Sequence, residues 1–264
     1  MYAFEYIAPK SVADAVAALA KGDAKPLAGG QTLLPTMKQR LAAPSALVDL
    51  GKIAGLSGAS REGDSIVIGG MTRHAEVAAS PLVHEAIKGL GALAGWIGDP
   101  AVRHRGTLGG SLANNDPAAD YPAAALALGA TIVTDKREIA ADEYFKGLFE
   151  TALTDNEIIT KVKFPIPEKS GYEKFRNPAS RYAMVGVFVA KTKAGVRVAV
   201  TGAGSNGVFR QQEMEAALAA NFSPDAIKAI KVDPSNMISD LHGDAEYRAH
   251  LVGVMARRAV AAAA

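Results

Sequence analysis

The sequence predicts an α+β protein in three segments, and three observations carry that reading. In residues 1–57 a strand, a glycine loop, a helix and a second strand follow one another, a small α/β unit. The glycine-rich polar stretch from Gly58 to Asp64 and a second boundary near Glu168 to Gly171 then divide the chain, so that 58–168 form a mixed α/β middle unit. In 169–264 two β-branched runs joined by a hairpin-length connection precede a helical tail, which predicts a C-terminal antiparallel sheet with helices. With 264 residues, 49% of them hydrophobic, the chain can bury cores for all three.

Taken in order, Ser11 followed by Asp14, with Val12, Val16 and Leu19 on one face and Gly22 beyond, predicts a capped amphipathic helix from Val12 to Lys21. A strand follows near Lys25 to Ala28, then the glycine pair Gly29-Gly30, a helical stretch from Pro35 to Leu41 opened by proline, and a strand at Ala46 to Leu50. In the middle unit, Ser65 to Ile68 reads as a strand, and Thr72 to Ala79 and Pro81 to Ala94 read as helices. Pro122 to Gly129 is an alanine and leucine helix, Thr131 to Thr134 a β-branched strand, and Ile158 to Phe164 an alternating strand ended by Pro165. Met184 to Ala190 and Val196 to Thr201 are strands joined through Lys193-Ala194-Gly195. Ser223-Pro224-Asp225 is a helix start, and Asp244 to Ala261 carries Tyr247, Leu251 and Val254 at helical spacing. Glycine pairs at 29–30, 69–70 and 109–110 are spaced evenly, but their flanks differ, which argues against a repeat.

Composition narrows the function classes. A formal net charge of +2 with no basic stripe speaks against a nucleic-acid partner. The absence of cysteine excludes disulfides, thiolate catalysis and iron–sulfur ligation by this chain. Neither a signal sequence nor a membrane-length apolar stretch is evident, so a cytoplasmic protein is expected. The histidines at 74, 84, 104, 242 and 250 have no metal-ligand spacing. Gly-x-Ser-x-Gly, the Walker lysine and Gly-x-Gly-x-x-Gly are all missing, which removes the serine hydrolase, P-loop and Rossmann readings.

Two segments remain, Ala28-Gly29-Gly30-Gln31-Thr32 and Thr107-Leu108-Gly109-Gly110-Ser111. Each is expected to present consecutive backbone N–H groups with no Cβ in the way and hydroxyl or amide side chains beside them, a combination suited to a pyrophosphate and hence a dinucleotide. A Gly-Gly turn without a ligand is the alternative. Asp120 is a candidate acceptor for sugar hydroxyls, and Asp116 for capping a turn. Arg103-His104-Arg105 reads as a solvated turn rather than an anion funnel, and Trp96 as a core anchor.

At these residues the sequence resembles the FAD-binding medium subunit of the molybdenum hydroxylases, the group of carbon monoxide dehydrogenase and xanthine dehydrogenase. The likeness covers Ser11 to Ala15, Leu27 to Leu41, Ile97 to Asp120, Lys174 to Ala183 and Asp240 to Arg248. It implies a PCMH-type (vanillyl-alcohol-oxidase-type) FAD fold. It also implies a flavin that relays electrons from [2Fe–2S] clusters in a small subunit to an external acceptor, with substrate oxidised at molybdopterin in a large subunit, all in a dimer of heterotrimers. The resemblance assigns Ala28, Gly29, Gly30, Gln31, Thr32, Thr107, Leu108, Gly109, Gly110 and Ser111 to the pyrophosphate and adjoining FAD atoms, and Asp120 to a polar FAD contact. Lys174 is placed to stabilise negative charge on the reduced ring and Tyr182 to cover a ring face, with Thr72 a lesser candidate. The missing cysteine disfavours the branch with an extra [4Fe–4S] cluster. A free-standing flavin oxidoreductase and a cofactor-free assembly module are the competing readings.

Overall fold

The computed structural model describes residues 1–263. Its first segment is β1 (Glu5–Ile7), α1 (Val12–Leu19), β2 (Ala24–Leu27), α2 (Leu33–Lys38) and β3 (Ala46–Asp49), the strands forming a parallel sheet in the order β1-β3-β2. The Ser11 hydroxyl caps α1 by accepting from Asp14 N at 3.1 Å. Ala15, Ala18 and Leu19 then pack with Val48, Leu50, Ile53 and Leu56. Strand β1 escapes the sequence patterning because it is only three residues long and packs a single side chain, Ile7, against that core.

The middle stretch runs β4 (Ala59–Glu62), β5 (Ser65–Gly69), α3 (His74–Ala79), α4 (Pro81–Ala86), α5 (Lys88–Gly95), α6 (Pro100–Arg103), α7 (Leu108–Asn114) and α8 (Tyr121–Leu128). It continues with β6 (Thr131–Thr134), β7 (Glu138–Ala140), α9 (Ala141–Tyr144), β8 (Phe145–Gly147), β9 (Glu150–Thr151) and β10 (Ile159–Pro165). Five strands make an antiparallel sheet in the order β4-β5-β10-β6-β7. Two expectations are corrected. The polar stretch after Gly58 contains β4, hairpinned onto β5 around Gly63 at φ +59°. The single helix expected over 81–94 is broken at Ile87, whose non-helical backbone (φ −141°, ψ 75°) sends its side chain fully into the core.

The C-terminal stretch is β11 (Lys169–Arg176), β12 (Ala183–Thr192), β13 (Gly195–Thr201), β14 (Phe209–Arg210), α10 (Gln212–Ala220) and α11 (Ala245–Ala262), its four strands antiparallel in that order. β12 is buried on both faces: Phe188 and Ala190 join the core around α8, while Val185, Val187 and Val189 pack beneath α11. That two-sided burial is why the strand reads as a continuous apolar run. The helix start at Ser223 yields only a single 3₁₀ turn, Pro224–Ile227. All eight residues of α8 are buried, which makes it the pillar between the middle sheet and the C-terminal sheet. Among the described residues no helix is long and apolar enough to cross a membrane.

Candidate functional site

A cleft of about 1010 Å³ opens where the C-terminal end of β2, the start of α7 and the start of β12 meet, large enough for a dinucleotide-sized ligand. The first glycine segment leaves β2 at Leu27 and turns at Gly30, whose φ of +71° is left-handed. Among the described residues, the N–H groups of Gly29, Gly30, Gln31 and Thr32 donate to no protein acceptor, and all four residues line the cleft. A run of unpaired amides of this kind is suited to an anion. Gly29 is forced by packing: a Cβ there would lie 2.3 Å from Arg105 O and 2.7 Å from Gly106 Cα.

The second segment differs from its expectation. It is the first turn of α7 rather than a loop, and its amides are already committed: Leu108 N donates to Thr72 O at 3.0 Å, Gly109 N to Gly70 O at 2.8 Å, Gly110 N to the Thr107 hydroxyl oxygen at 3.1 Å and Ser111 N to Thr107 O at 3.0 Å. What it offers the cleft is a glycine surface and the hydroxyls of Thr107 and Ser111. Leu108 is fully buried in the core and does not line the cleft.

The three glycine pairs converge here although they form no repeat. A Cβ on Gly109 would meet Gly70 O at 2.7 Å, one on Gly70 would meet Ile159 O at 2.4 Å, and one on Gly110 would touch the Ala28 side chain at 3.4 Å. Thr72 lies below the cleft, where its hydroxyl accepts from Gly58 N and donates to Gly58 O. It is a structural residue.

Asp120 stands at the head of α8 and lines the cleft while 5% exposed. Its Oδ1 accepts from Lys174 Nζ at 2.8 Å and from the Tyr172 hydroxyl at 2.5 Å. Its Oδ2 accepts from no group among the described residues, leaving one carboxylate oxygen for a ligand donor. Burial pushes the Asp120 carboxyl above its ordinary value, and the Lys174 ammonium and both hydrogen bonds act against that shift. Lys174 itself has no exposed side-chain surface and does not line the cleft. Where the resemblance expects Lys174 beside a flavin ring, its ammonium here donates to Asp120. Tyr182 does line the cleft, at the end of a turn whose Asn177 side chain accepts from Ala179 N and Ser180 N.

Among the cleft residues that sequence reading misses are His74 and Glu157. His74, 4% exposed, has its pKa lowered to about 4 by burial and by the charge of Arg103, so it is a neutral imidazole at physiological pH. Glu157 is held at a pKa of about 2 chiefly by its hydrogen bond with Arg137. Neither sits in a motif, and only the fold brings them to the wall. Asp116 caps Ala118 N at 2.8 Å, in line with the sequence reading, whereas Arg103 closes α6 and its guanidinium donates to the carbonyls of Ile97 and Gly98 instead of lying in a solvated turn. Among the described residues no cluster of three His, Asp or Glu side chains could hold a metal.

Residues 2–167 match the family model described as the FAD binding domain in molybdopterin dehydrogenase. The chain belongs to this family. It is 37% identical to the carbon monoxide dehydrogenase medium chain of Hydrogenophaga pseudoflava, covering 98% of this chain and 96% of that one. It is 38% identical to the nicotine 6-hydroxylase medium subunit of Paenarthrobacter nicotinovorans, over the same shares. Among solved structures, a chain of reconstituted CO dehydrogenase from Oligotropha carboxidovorans superposes with a TM-score of 0.89 at 35% identity, covering 99% of this chain and 97% of that chain. The fold is thus that of a carbon monoxide dehydrogenase medium subunit, and the chain is an FAD-binding oxidoreductase subunit. Its residues fit that cofactor: Cβ-free backbone lines the cleft, four unpaired amides suit the pyrophosphate, and one carboxylate oxygen is free to accept from a hydroxyl or ring N–H.

Proposed function

We propose that this chain holds FAD in the cleft and serves as the electron-relaying medium subunit of a molybdenum hydroxylase. The observation that carries the reading is the run of unpaired N–H groups from Gly29 to Thr32, facing the cleft and pressed by backbone contact onto the base of the second segment. Those amides would bind the pyrophosphate, helped by the hydroxyls of Thr32, Thr107 and Ser111. Asp120, oriented by Lys174 and Tyr172, would accept a hydrogen bond through Oδ2, and Tyr182 would cover an aromatic face of the cofactor. Neutral His74 and the apolar side chains of Ile97 and Ile158 line the inner wall.

When bound, FAD supplies electron transfer between [2Fe–2S] clusters of a small subunit and an external acceptor. A large molybdopterin subunit oxidises the substrate, which is carbon monoxide, an aldehyde or an N-heterocycle, and the complex is a dimer of heterotrimers. Support comes from relatives named as medium subunits of carbon monoxide dehydrogenase and nicotine 6-hydroxylase. The test is to purify the chain with its neighbours, record flavin, iron and molybdenum content, and follow flavin bleaching on adding candidate substrates. Bleaching by the intact complex but not by the isolated flavoprotein supports the relay. Rapid bleaching of the isolated chain by substrate overturns it.

A further inference from the structure

The stretch Asp240 to Arg248 belongs to the resemblance but plays no part in the site as so far described. Arg248, 2% exposed in the first turn of α11, is the largest fully buried side chain of the molecule. Its Nη1 donates to Met184 O at 2.6 Å and to Gly202 O at 3.0 Å, and its Nη2 donates to Asp240 Oδ2 at 2.8 Å. These acceptors belong to three separate segments: the start of β12, the end of β13 and the turn 240–243. A buried guanidinium opposite one partly exposed carboxylate adds little net stability compared with an apolar side chain of similar size. What it does supply, and an apolar side chain cannot, is a fixed planar fork that sets three segments in one geometry.

That geometry leads to the cleft. Asp240 Oδ1 accepts from His242 N at 2.9 Å, and Asp240 and Gly243 exchange backbone hydrogen bonds, so the turn is rigid. The His242 ring meets the Tyr182 ring edge-on with centroids 6.3 Å apart. Met184, gripped through its carbonyl, lies two residues from Tyr182. Gly202, at φ +82°, has no room for a Cβ, which would sit 2.3 Å from Ala183 O. Tyr182 is therefore held from its own strand and from the facing histidine, and both holds end on Arg248.

We propose that Arg248 and Asp240 are positioning residues that set Tyr182 as a wall of the cofactor cleft. The proposal rests on the cleft being the FAD site, and its test separates the two. Asp240→Ala is the primary variant, because it frees the turn while Arg248 keeps both carbonyls. Asp240→Glu, which keeps two carboxylate oxygens to accept from Arg248 and His242 N, is the conservative rescue. Hydrogen exchange on the cofactor-free chain is expected to show protection lost in Asp240→Ala around 180–184 and 240–243 only, and restored in Asp240→Glu. With FAD added, Asp240→Ala is expected to change the visible circular dichroism of the flavin and reduce its fluorescence quenching, while Asp240→Glu resembles the wild type. Unchanged exchange around 180–184, or protection lost evenly over β12 and β13, overturns the positioning role. Failure of the wild-type chain to bind FAD overturns the cleft reading instead.

Discussion

Gly29→Ala puts the construction of the cleft under the most direct strain. The new Cβ would lie 2.3 Å from Arg105 O, 2.7 Å from Gly106 Cα and 2.8 Å from Arg105 C, all backbone atoms that no rotamer change can move. Restoring ordinary contact requires the two segments to part by roughly 1 Å. Overpacking of this kind costs roughly 1–3 kcal/mol, offset in part by the about 0.4–1 kcal/mol that alanine gains over glycine in the unfolded chain. The same displacement moves the amides of residues 29–32 away from the hydroxyls of Thr107 and Ser111. Losing even one hydrogen bond to a charged group costs about 1.5–3 kcal/mol, a roughly ten- to hundredfold rise in the FAD dissociation constant. The assay is titration of the deflavinated protein with FAD, followed by flavin fluorescence and paired with thermal unfolding. Gly253→Ala is the control: it lies inside α11 with nothing within 4 Å of its Cβ, and is expected to be neutral or stabilising by up to about 1 kcal/mol with FAD affinity unchanged. A Gly29→Ala protein with wild-type stability and wild-type affinity would refute the reasoning.

Other expectations follow from the buried charges. Lys174→Met strands the Asp120 carboxylate in a buried site and is expected to cost about 3–5 kcal/mol in chemical denaturation, with most of the loss recovered in Asp120→Asn/Lys174→Met; equal losses in both would contradict the pairing. His74, with a pKa of about 4 against an ordinary 6.5, binds its proton first in the unfolded chain. Stability is accordingly complete above pH 6.5 and falls by roughly 3 kcal/mol as pH drops toward 4, a slope that His74→Gln should flatten and that would be unaltered if the imidazole were solvated. Glu157, held at about 2 against 4.5, contributes stability present above pH 4.5 and lost as pH falls toward 2. Because Arg137 is half-exposed, that contribution is set at roughly 1–2 kcal/mol; Glu157→Gln should remove it, and an unchanged acid transition would count against the ion pair.

Much of this fold is legible in the sequence where the signal is local. The Ser11 cap, the hairpin at Lys193-Ala194-Gly195 and the helix after Asp244 each depend on residues a few positions apart. The elements missed are set by tertiary contact. β11 carries Glu173 and Lys174 in its interior and reads as broken sequence, yet Lys174 is buried because Asp120, far away in the chain, neutralises it. The site divides in the same way. The first glycine segment keeps the amides of residues 29–32 without a protein acceptor among the described residues, as its local sequence leads one to expect. The second misleads because Thr107 caps two of its N–H groups as a helix start, and the acceptors of the other two, Thr72 O and Gly70 O, lie more than a strand away in sequence. The convergence of the three glycine pairs is likewise a property of packing, invisible in their flanking residues.

The central claim is that the cleft built on Gly29 to Thr32 is an FAD site, and equilibrium titration of the deflavinated chain with FAD tests it most directly. Saturable binding at one FAD per chain, weakened by Gly29→Ala and untouched by Gly253→Ala, is the expected result. An absence of saturable binding, or binding that Gly29→Ala leaves unchanged, would contradict it.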